Sequence, residues 1–195
     1  MKNIGIIPTI ILRRNTISLF IDNNLILFLQ KCFPRSNLEI FTNIKKLKNK
    51  PSLIVSAGGN TIVSINKERA NKFRKLLDDY YFKYAAKKNI PFLGICHGAQ
   101  YVAKYFGSKI NSLKNHTNKD HLIFFKNTFK SIKVNSYHDY AIVKLGKELN
   151  IIAYTKDGSI EAFKHKNKKI LGIMWHPERY KKIKKFDLQF IKKNL

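Results

Sequence analysis

Cys96 lies in the run Ile90-Pro91-Phe92-Leu93-Gly94-Ile95-Cys96-His97-Gly98-Ala99-Gln100, between two glycines and directly after an apolar stretch. A strand ending in Gly-Ile-Cys, then His-Gly and a helical pattern, is the arrangement of a nucleophile elbow. The glycines permit the sharp turn and the close backbone approach. A thiol there projects from the carboxyl edge of a sheet near the positive end of the next helix, which favours the nucleophilic thiolate. The plainer alternative is a buried cysteine packing as a small hydrophobe. A cysteine nucleophile needs a base, and the base needs an orienting group. In Ile170–Arg179, "ILGIMWHPER", an apolar strand ends in His176-Pro177-Glu178. That places His176 on the sheet edge an elbow cysteine would occupy, with Glu178 near enough to fix its tautomer. Alone, these residues read better as a histidine capping a helical turn begun by Pro and Glu. Together with the elbow they favour a Cys-His-Glu triad. Gly58-Gly59-Asn60 follows the apolar run Leu53–Ser56. It could offer the Gly59 amide as an oxyanion donor beside the amide of His97, or be an ordinary turn.

The elements that would position these residues alternate. Strands are expected at Ile4–Ile7, Leu38–Phe41, Leu53–Ser56 and Phe92–Ile95. Helices are expected at Asn23–Phe33, from Lys67 to Lys88 and at Gly98–Phe106. The long helix shows apolar residues at helical spacing, from Phe73, Leu76 and Leu77 to Tyr80, Tyr81 and Tyr84. Asn89 ends it, and Pro91 opposes an immediate restart. Such βαβα alternation implies α/β architecture with a largely parallel sheet covered by helices. The C-terminal half reads instead as strands at Phe129–Val134, Ile151–Thr155, Ser159–Phe163 and Ile170–Trp175, with a hairpin turn at Asp157-Gly158. A basic helical stretch follows Pro177. Residues 1–195 read as a single domain, without repeats or a low-complexity linker.

A chain of 195 residues with 44% hydrophobic content can bury a substantial core. No apolar run approaches the roughly 20 residues that span a bilayer. The N-terminus lacks a small-residue cleavage site and reads as a first strand. Two cysteines outside any metal-type spacing point to a reducing, cytoplasmic setting. The net charge of +26 invites a nucleic-acid-binding reading. The basic residues are overwhelmingly lysine, however, and scattered along the chain beside abundant Asn and Ile, which suggests compositional drift. The densest runs, Lys164–Lys169 and Lys181–Lys185, lack the interleaved aromatics that stack bases. His116 and His121 are not at metal spacing and read as loop residues, and no metal or cofactor is expected.

The ordered set of a strand into Gly-Gly, "PFLGICHGAQ", "VNSYHDYAI" and "GIMWHPE" resembles the class I glutamine amidotransferase family from about Leu53 to Arg179. The resemblance implies a flavodoxin-like three-layer α/β/α sandwich. It implies catalytic Cys96, His176 and Glu178, with oxyanion-hole amides from Gly59 and His97. Gly58, Asn60 and Gln100 match substrate-binding positions, Gln100 being the glutamine that contacts the γ-glutamyl group. Asn135, Ser136, Tyr137 and His138 match the loop that holds its α-amino and α-carboxylate ends. His97 departs from the residues common after the nucleophile, but an adjacent side chain on an elbow points away from its neighbour. Arg74 and Asp78 stand roughly where hydrolase-like relatives carry Arg-Asp-x-x-Glu, with Lys75 breaking the pattern.

The details of the last two motifs look most like the γ-glutamyl-CDP-amidate hydrolases of capsular polysaccharide phosphoramidate biosynthesis. That likeness implies release of glutamate and cytidine diphosphoramidate through a γ-glutamyl thioester. No synthetase segment is apparent, and the chain ends at Leu195, soon after Glu178. A hydrolase of another γ-glutamyl amine and an ammonia-donating glutaminase subunit with a synthase partner stay open as alternatives. A non-enzymatic nucleic-acid-binding protein is the distant one.

Overall fold

The computed structural model describes residues 2–113 and 117–195; His116 therefore lies outside the described residues. The first half of the chain winds β1 (Lys2–Ile7), β2 (Thr9–Arg13), β3 (Thr16–Phe20), α1 (Asn23–Cys32), β4 (Ser36–Ile40), β5 (Leu53–Ser56), α2 (Arg69–Lys88), β6 (Phe92–Ile95) and α3 (His97–Tyr105). Asp22 caps α1 by accepting from the Asn24 amide. Asn89 closes α2 in the left-handed conformation, φ 51°, which asparagine tolerates better than most residues. The second half is mostly strand: β7 (Lys109–Ser112), β8 (Thr117–Phe125), β9 (Ser131–Tyr137), β10 (Tyr140–Lys144), β11 (Leu149–Thr155), β12 (Ile160–His165) and β13 (Ile170–Ile173). A single 3-10 turn at Pro177–Arg179 and α4 (Lys185–Asn194) follow.

The sheet is parallel at its core, in the order β4-β1-β5-β6-β13, and continues through β12, β11, β8 and β9 in antiparallel pairings. Taken in chain order, the parallel strands have the 2-1-3-4-5 arrangement of the flavodoxin-like fold. Period-2 alternation sends Ile4, Ile6, Val55, Leu93, Ile95 and Ile173 to one face, against Leu25, Phe28 and Leu29 of α1 and Phe190 and Ile191 of α4. The opposite face carries Ile7, Ile54, Phe92 and Ile170 under Leu77, Tyr81 and Phe82 of α2 and Val102 of α3. Near-continuous apolar runs such as Phe92–Ile95 are what a doubly covered parallel strand needs. Among the described residues no helix is long and apolar enough to cross a membrane.

Several expectations shift. The expected strand from Phe129 begins only at Ser131, with Phe129 fully exposed in the preceding turn, and the strand expected to reach Trp175 ends at Ile173. His121 is not a loop residue: it lies within β8, paired with Val134 of β9. The hairpin β2–β3 escaped the periodicity argument because Arg14 and Asn15, both at positive φ, turn it without a glycine.

Glycine is required where α3 leaves the sheet. A Cβ on Gly98 would lie 2.3 Å from the Ser56 carbonyl oxygen, on backbone that cannot swing aside. Gly98→Ala therefore overpacks the junction of α3 and β5, and a loss of about 1–3 kcal/mol is expected in urea unfolding; an unchanged midpoint would refute this account.

Candidate active site

β6 and β13 are neighbouring parallel strands in register, Ile95 opposite Ile173, and the Cys96 amide donates to the Ile173 carbonyl at 2.8 Å. The chain then turns sharply at Cys96, whose φ of 49° and ψ of −99° are unusual for a residue with a side chain. Such strain costs on the order of 1–3 kcal/mol and persists where the surroundings enforce it. Here the enforcement comes from β6 on one side and the first turn of α3 on the other, closed by the Gln100 amide on the Cys96 carbonyl at 2.9 Å. The amide of His97 is one of the first-turn donors that have no partner inside the helix.

Three residues past the end of β13, His176 is 2% exposed and meets Glu178 through Nδ1, 2.6 Å from Oε1. With Nδ1 so held, Nε2 is the nitrogen that forms the hydrogen bond joining His176 to Cys96. Burial alone would raise the thiol pKa, but the neighbouring imidazole outweighs it and holds Cys96 below its ordinary value. Burial likewise opposes charge on His176, yet Cys96 and Glu178 together push its pKa up. Both shifts favour a thiolate–imidazolium pair. The His176 backbone is clamped by Asn135, which donates from Nδ2 to the His176 carbonyl and accepts its amide on Oδ1, each at 2.8 Å.

The His97 imidazole is engaged away from the thiol. Nδ1 lies 2.8 Å from the Asn60 carbonyl oxygen and Nε2 lies 3.0 Å from Asp78 Oδ2. A carbonyl only accepts, so Nδ1 carries the hydrogen in that contact; burial and the Arg74 charge lower the His97 pKa against the opposing pull of Asp78. Asp78 also accepts from Ser56 Oγ at 2.8 Å and from Arg74 Nε at 3.0 Å, in an ion pair with both side chains 0% exposed. Arg74 Nη2 donates to the Ala57 carbonyl at 2.6 Å, so a buried cation braces the start of the Gly58–Asn60 loop.

One cavity of about 130 Å³ is lined by Gly59, Asn60, Cys96, Gln100, Tyr137, His138 and His176, together with Thr61, Asp139, Tyr140 and Arg179. Gly58, His97, Asn135, Ser136 and Glu178 stand behind that wall. Gly58 is nonetheless tight against the centre, since a Cβ there would sit 2.5 Å from His176 Cε1. Gln100 donates to the Tyr140 carbonyl at 2.9 Å. His138 Nε2 lies 3.3 Å from Glu161 Oε1, and His121 Nε2 lies 3.4 Å from Oε2. Burial would raise Glu161, but the two histidines hold it at about 2. At the cavity mouth the Arg179 guanidinium lies over the Tyr137 ring, 5.0 Å from its centroid, and faces Asp22 at 3.6 Å. Sequence reasoning did not single out Thr61, Asp139, Tyr140, Glu161 or Arg179. Asp139 and Tyr140 lie within the run "VNSYHDYAI", and Thr61 and Arg179 directly follow Asn60 and Glu178, which was the available signal. Among the described residues no group of three or more His, Cys, Asp or Glu could hold a metal ion.

The fold and the site geometry define a class: an α/β/α enzyme with a cysteine at a strand-to-helix elbow and a histidine–carboxylate pair on the adjacent strand end. The model of the family "Glutamine amidotransferase class-I" matches residues 35–194, and the chain belongs to that family. A gamma-glutamyl-CDP-amidate hydrolase of Campylobacter jejuni subsp. jejuni serotype O:2 is 42% identical over 126 residues, covering 65% of this chain and 62% of that protein. The match thus spans less than two thirds of that relative's length. One subunit of a glutamine-hydrolyzing GMP synthase from Pyrococcus furiosus is 29% identical over 136 residues, covering 66% of this chain and 67% of that one. A crystallographic glutamine amidotransferase from Thermotoga maritima superposes with a TM-score of 0.67 at 19% identity, over 91% of this chain and 76% of that chain, a likeness of fold.

Proposed function

We propose that this chain is a single-domain γ-glutamyl hydrolase that acts in the cytoplasm on γ-glutamyl-CDP-amidate, yielding glutamate and cytidine diphosphoramidate for capsule phosphoramidate synthesis. The observation that carries the reading is the thiol–imidazole–carboxylate line of Cys96, His176 and Glu178 opening into one small cavity. The substrate is suggested by the 42% identical hydrolase.

The Cys96 thiolate attacks the γ-carbonyl, forming an S–C bond and moving the carbonyl electron pair onto oxygen. The Gly59 and His97 amides are the proposed donors to that oxyanion. His176, protonated, gives its proton to the leaving nitrogen as the C–N bond breaks, leaving a γ-glutamyl thioester. Water then loses a proton to His176 and attacks the thioester, releasing glutamate and restoring the thiolate–imidazolium pair. Glu178 holds the imidazole in the tautomer that keeps Nε2 toward the sulfur. Gln100 and the segment Asn135–His138 are proposed to hold the glutamyl end; Asn135 does so indirectly, through the His176 backbone.

The cavity holds about four water volumes, enough for a glutamyl end, so a nucleotide leaving group would extend past Arg179 at the mouth. The likeness to a GMP synthase component favours one other reading, a glutaminase that delivers ammonia to a synthase. A panel of L-glutamine, γ-glutamyl amines and γ-glutamyl-CDP-amidate separates them. The nucleotide substrate is expected to show kcat/KM at least about 100-fold above glutamine without any partner, a preference of some 2.7 kcal/mol. Equal or better turnover of glutamine overturns the nucleotide assignment.

A further inference from the structure

We propose that Thr9, on the strand that precedes the hairpin turn, is a positioning residue of the oxyanion hole; this rests on Gly59 serving as an oxyanion donor. Thr9 Oγ1 donates to the Gly58 carbonyl oxygen at 2.6 Å. That carbonyl and the Gly59 N–H belong to one peptide unit. No described peptide bond is cis, so the two groups point in opposite directions across the same plane. Anchoring the carbonyl on Thr9 therefore fixes where the Gly59 N–H is aimed. A hydrogen bond accepted by the carbonyl also polarises the amide and makes its N–H a stronger donor.

The surroundings hold Thr9 and the loop to each other. The loop lies between Thr9 and the reacting pair: a Cβ on Gly59 would fall 2.7 Å from Thr9 Cγ2, and one on Gly58 would fall 3.4 Å from Cys96 Cβ. Gly59 has φ of 104°, so the loop takes a conformation that other residues resist. On one side of Thr9, the Pro8 carbonyl accepts from Arg74 Nη1 at 2.9 Å. On the other, the Ile10 amide donates to Asn60 Oδ1 at 2.8 Å and the Ile10 carbonyl accepts from Asn60 Nδ2 at 2.9 Å. The strand and the loop are laced together around one threonine hydroxyl. Thr9 exchanges no proton and touches no reacting atom. It sets the direction and strength of a donor used when charge develops on the substrate oxygen, so its contribution belongs to the transition state.

The test compares Thr9→Val, which keeps the shape and deletes the hydroxyl, with Thr9→Ser, which keeps the hydroxyl. The substrate is whichever γ-glutamyl compound of the panel the wild-type chain turns over best. Thr9→Val is expected to lower kcat and the single-turnover acylation rate about ten-fold, less than deletion of an oxyanion donor outright, with KM unchanged. Thr9→Ser is expected to restore kcat to within about two-fold of wild type. Alkylation of Cys96 by iodoacetamide forms no oxyanion, and its rate is expected to be unchanged in both variants. Wild-type kcat in Thr9→Val, a Thr9→Ser variant as slow as Thr9→Val, or alkylation falling in step with kcat each overturns the proposal. The nucleophile assignment fails separately, if Cys96→Ala still turns over.

Discussion

Cys96→Ala is expected to lower γ-glutamyl release by at least about 10⁴-fold, because removing one member of a nucleophile–base unit disables the whole unit. The unfolding midpoint should stay near that of the wild-type chain, since alanine fills the same elbow with no larger side chain. Cys96→Ser should be equally inactive: a hydroxyl cannot be ionised by an imidazole that is matched to a thiol. The pH profile of alkylation sharpens the test. The thiolate–imidazolium pair persists from the lowered pKa of Cys96 up to the raised pKa of His176, so the alkylation rate should be flat across neutral pH and fall in acid as the thiolate is protonated. In His176→Asn the supporting charge is gone, and the rate should instead climb with pH through and beyond the ordinary thiol range. Cys32 does not confuse the reading, because burial pushes its thiol up to about 12. Retained turnover in Cys96→Ala or Cys96→Ser would sink the assignment.

Arg74→Met should produce the largest loss of stability. It removes the buried cation from the Asp78 carboxylate, at 0% exposure, and leaves only His97 and Ser56 Oγ on it; breaking a buried ion pair in this way costs about 3–5 kcal/mol. For a chain of this size that corresponds to a fall in Tm of roughly 6–20 °C. The pH dependence carries a sign that separates this cause from simple mispacking. In the wild-type chain burial opposes the Asp78 charge, but Arg74 and His97 hold its pKa below the usual carboxylate value. Its contribution is thus present above the unfolded pKa and lost as pH falls. Without Arg74 the burial effect is opposed only by His97 and Ser56, so the folded pKa of Asp78 rises from its lowered position. The variant therefore loses less stability on acidification than the wild-type chain does, and its deficit relative to wild type should narrow. Arg74→Met combined with Asp78→Asn should recover part of the loss at neutral pH. A deficit that is independent of pH and unrelieved in the double variant would show that the charge pair is not its source.

Much of this arrangement was legible in the residues. The elbow could be read because Gly94 and Gly98 bracket Cys96 after an apolar run, a pattern that suits a tight strand-to-helix junction, and because the His176-Pro177-Glu178 run supplied a base and its orienting group. His176 was placed on the correct edge because Ile170–Ile173 is apolar throughout, the signature of a strand covered on both faces. The turn at Asp157-Gly158 followed from its dipeptide. The unread parts share a physical cause. Thr9 and Arg74 act through partners 49 and 17 residues away, and no local spacing announces a contact made by tertiary packing. β8 and β10 carry exposed, charged residues such as Lys119, Asp120 and Lys144, so their alternation is weak and their pairing comes from neighbouring strands. His97 shows both sides. Its backbone role was inferred from position, while its side chain is committed to Asp78 and Asn60, contacts that only the folded chain brings together.

The register of β6 against β13 has a consequence for when the chemistry comes into being. The thiol and the imidazole that activates it arrive from strands far apart in the chain, and Ile95 facing Ile173 is what makes them neighbours. Without β13 in place no imidazole stands beside Cys96, so until that strand docks the thiol is expected to react as an ordinary one. Its nucleophilicity is switched on by the same event that closes the parallel core. A fast-reacting Cys96 is in that sense a chemical signature of the completed sheet, and its loss should mark local opening of β13 before the molecule as a whole unfolds.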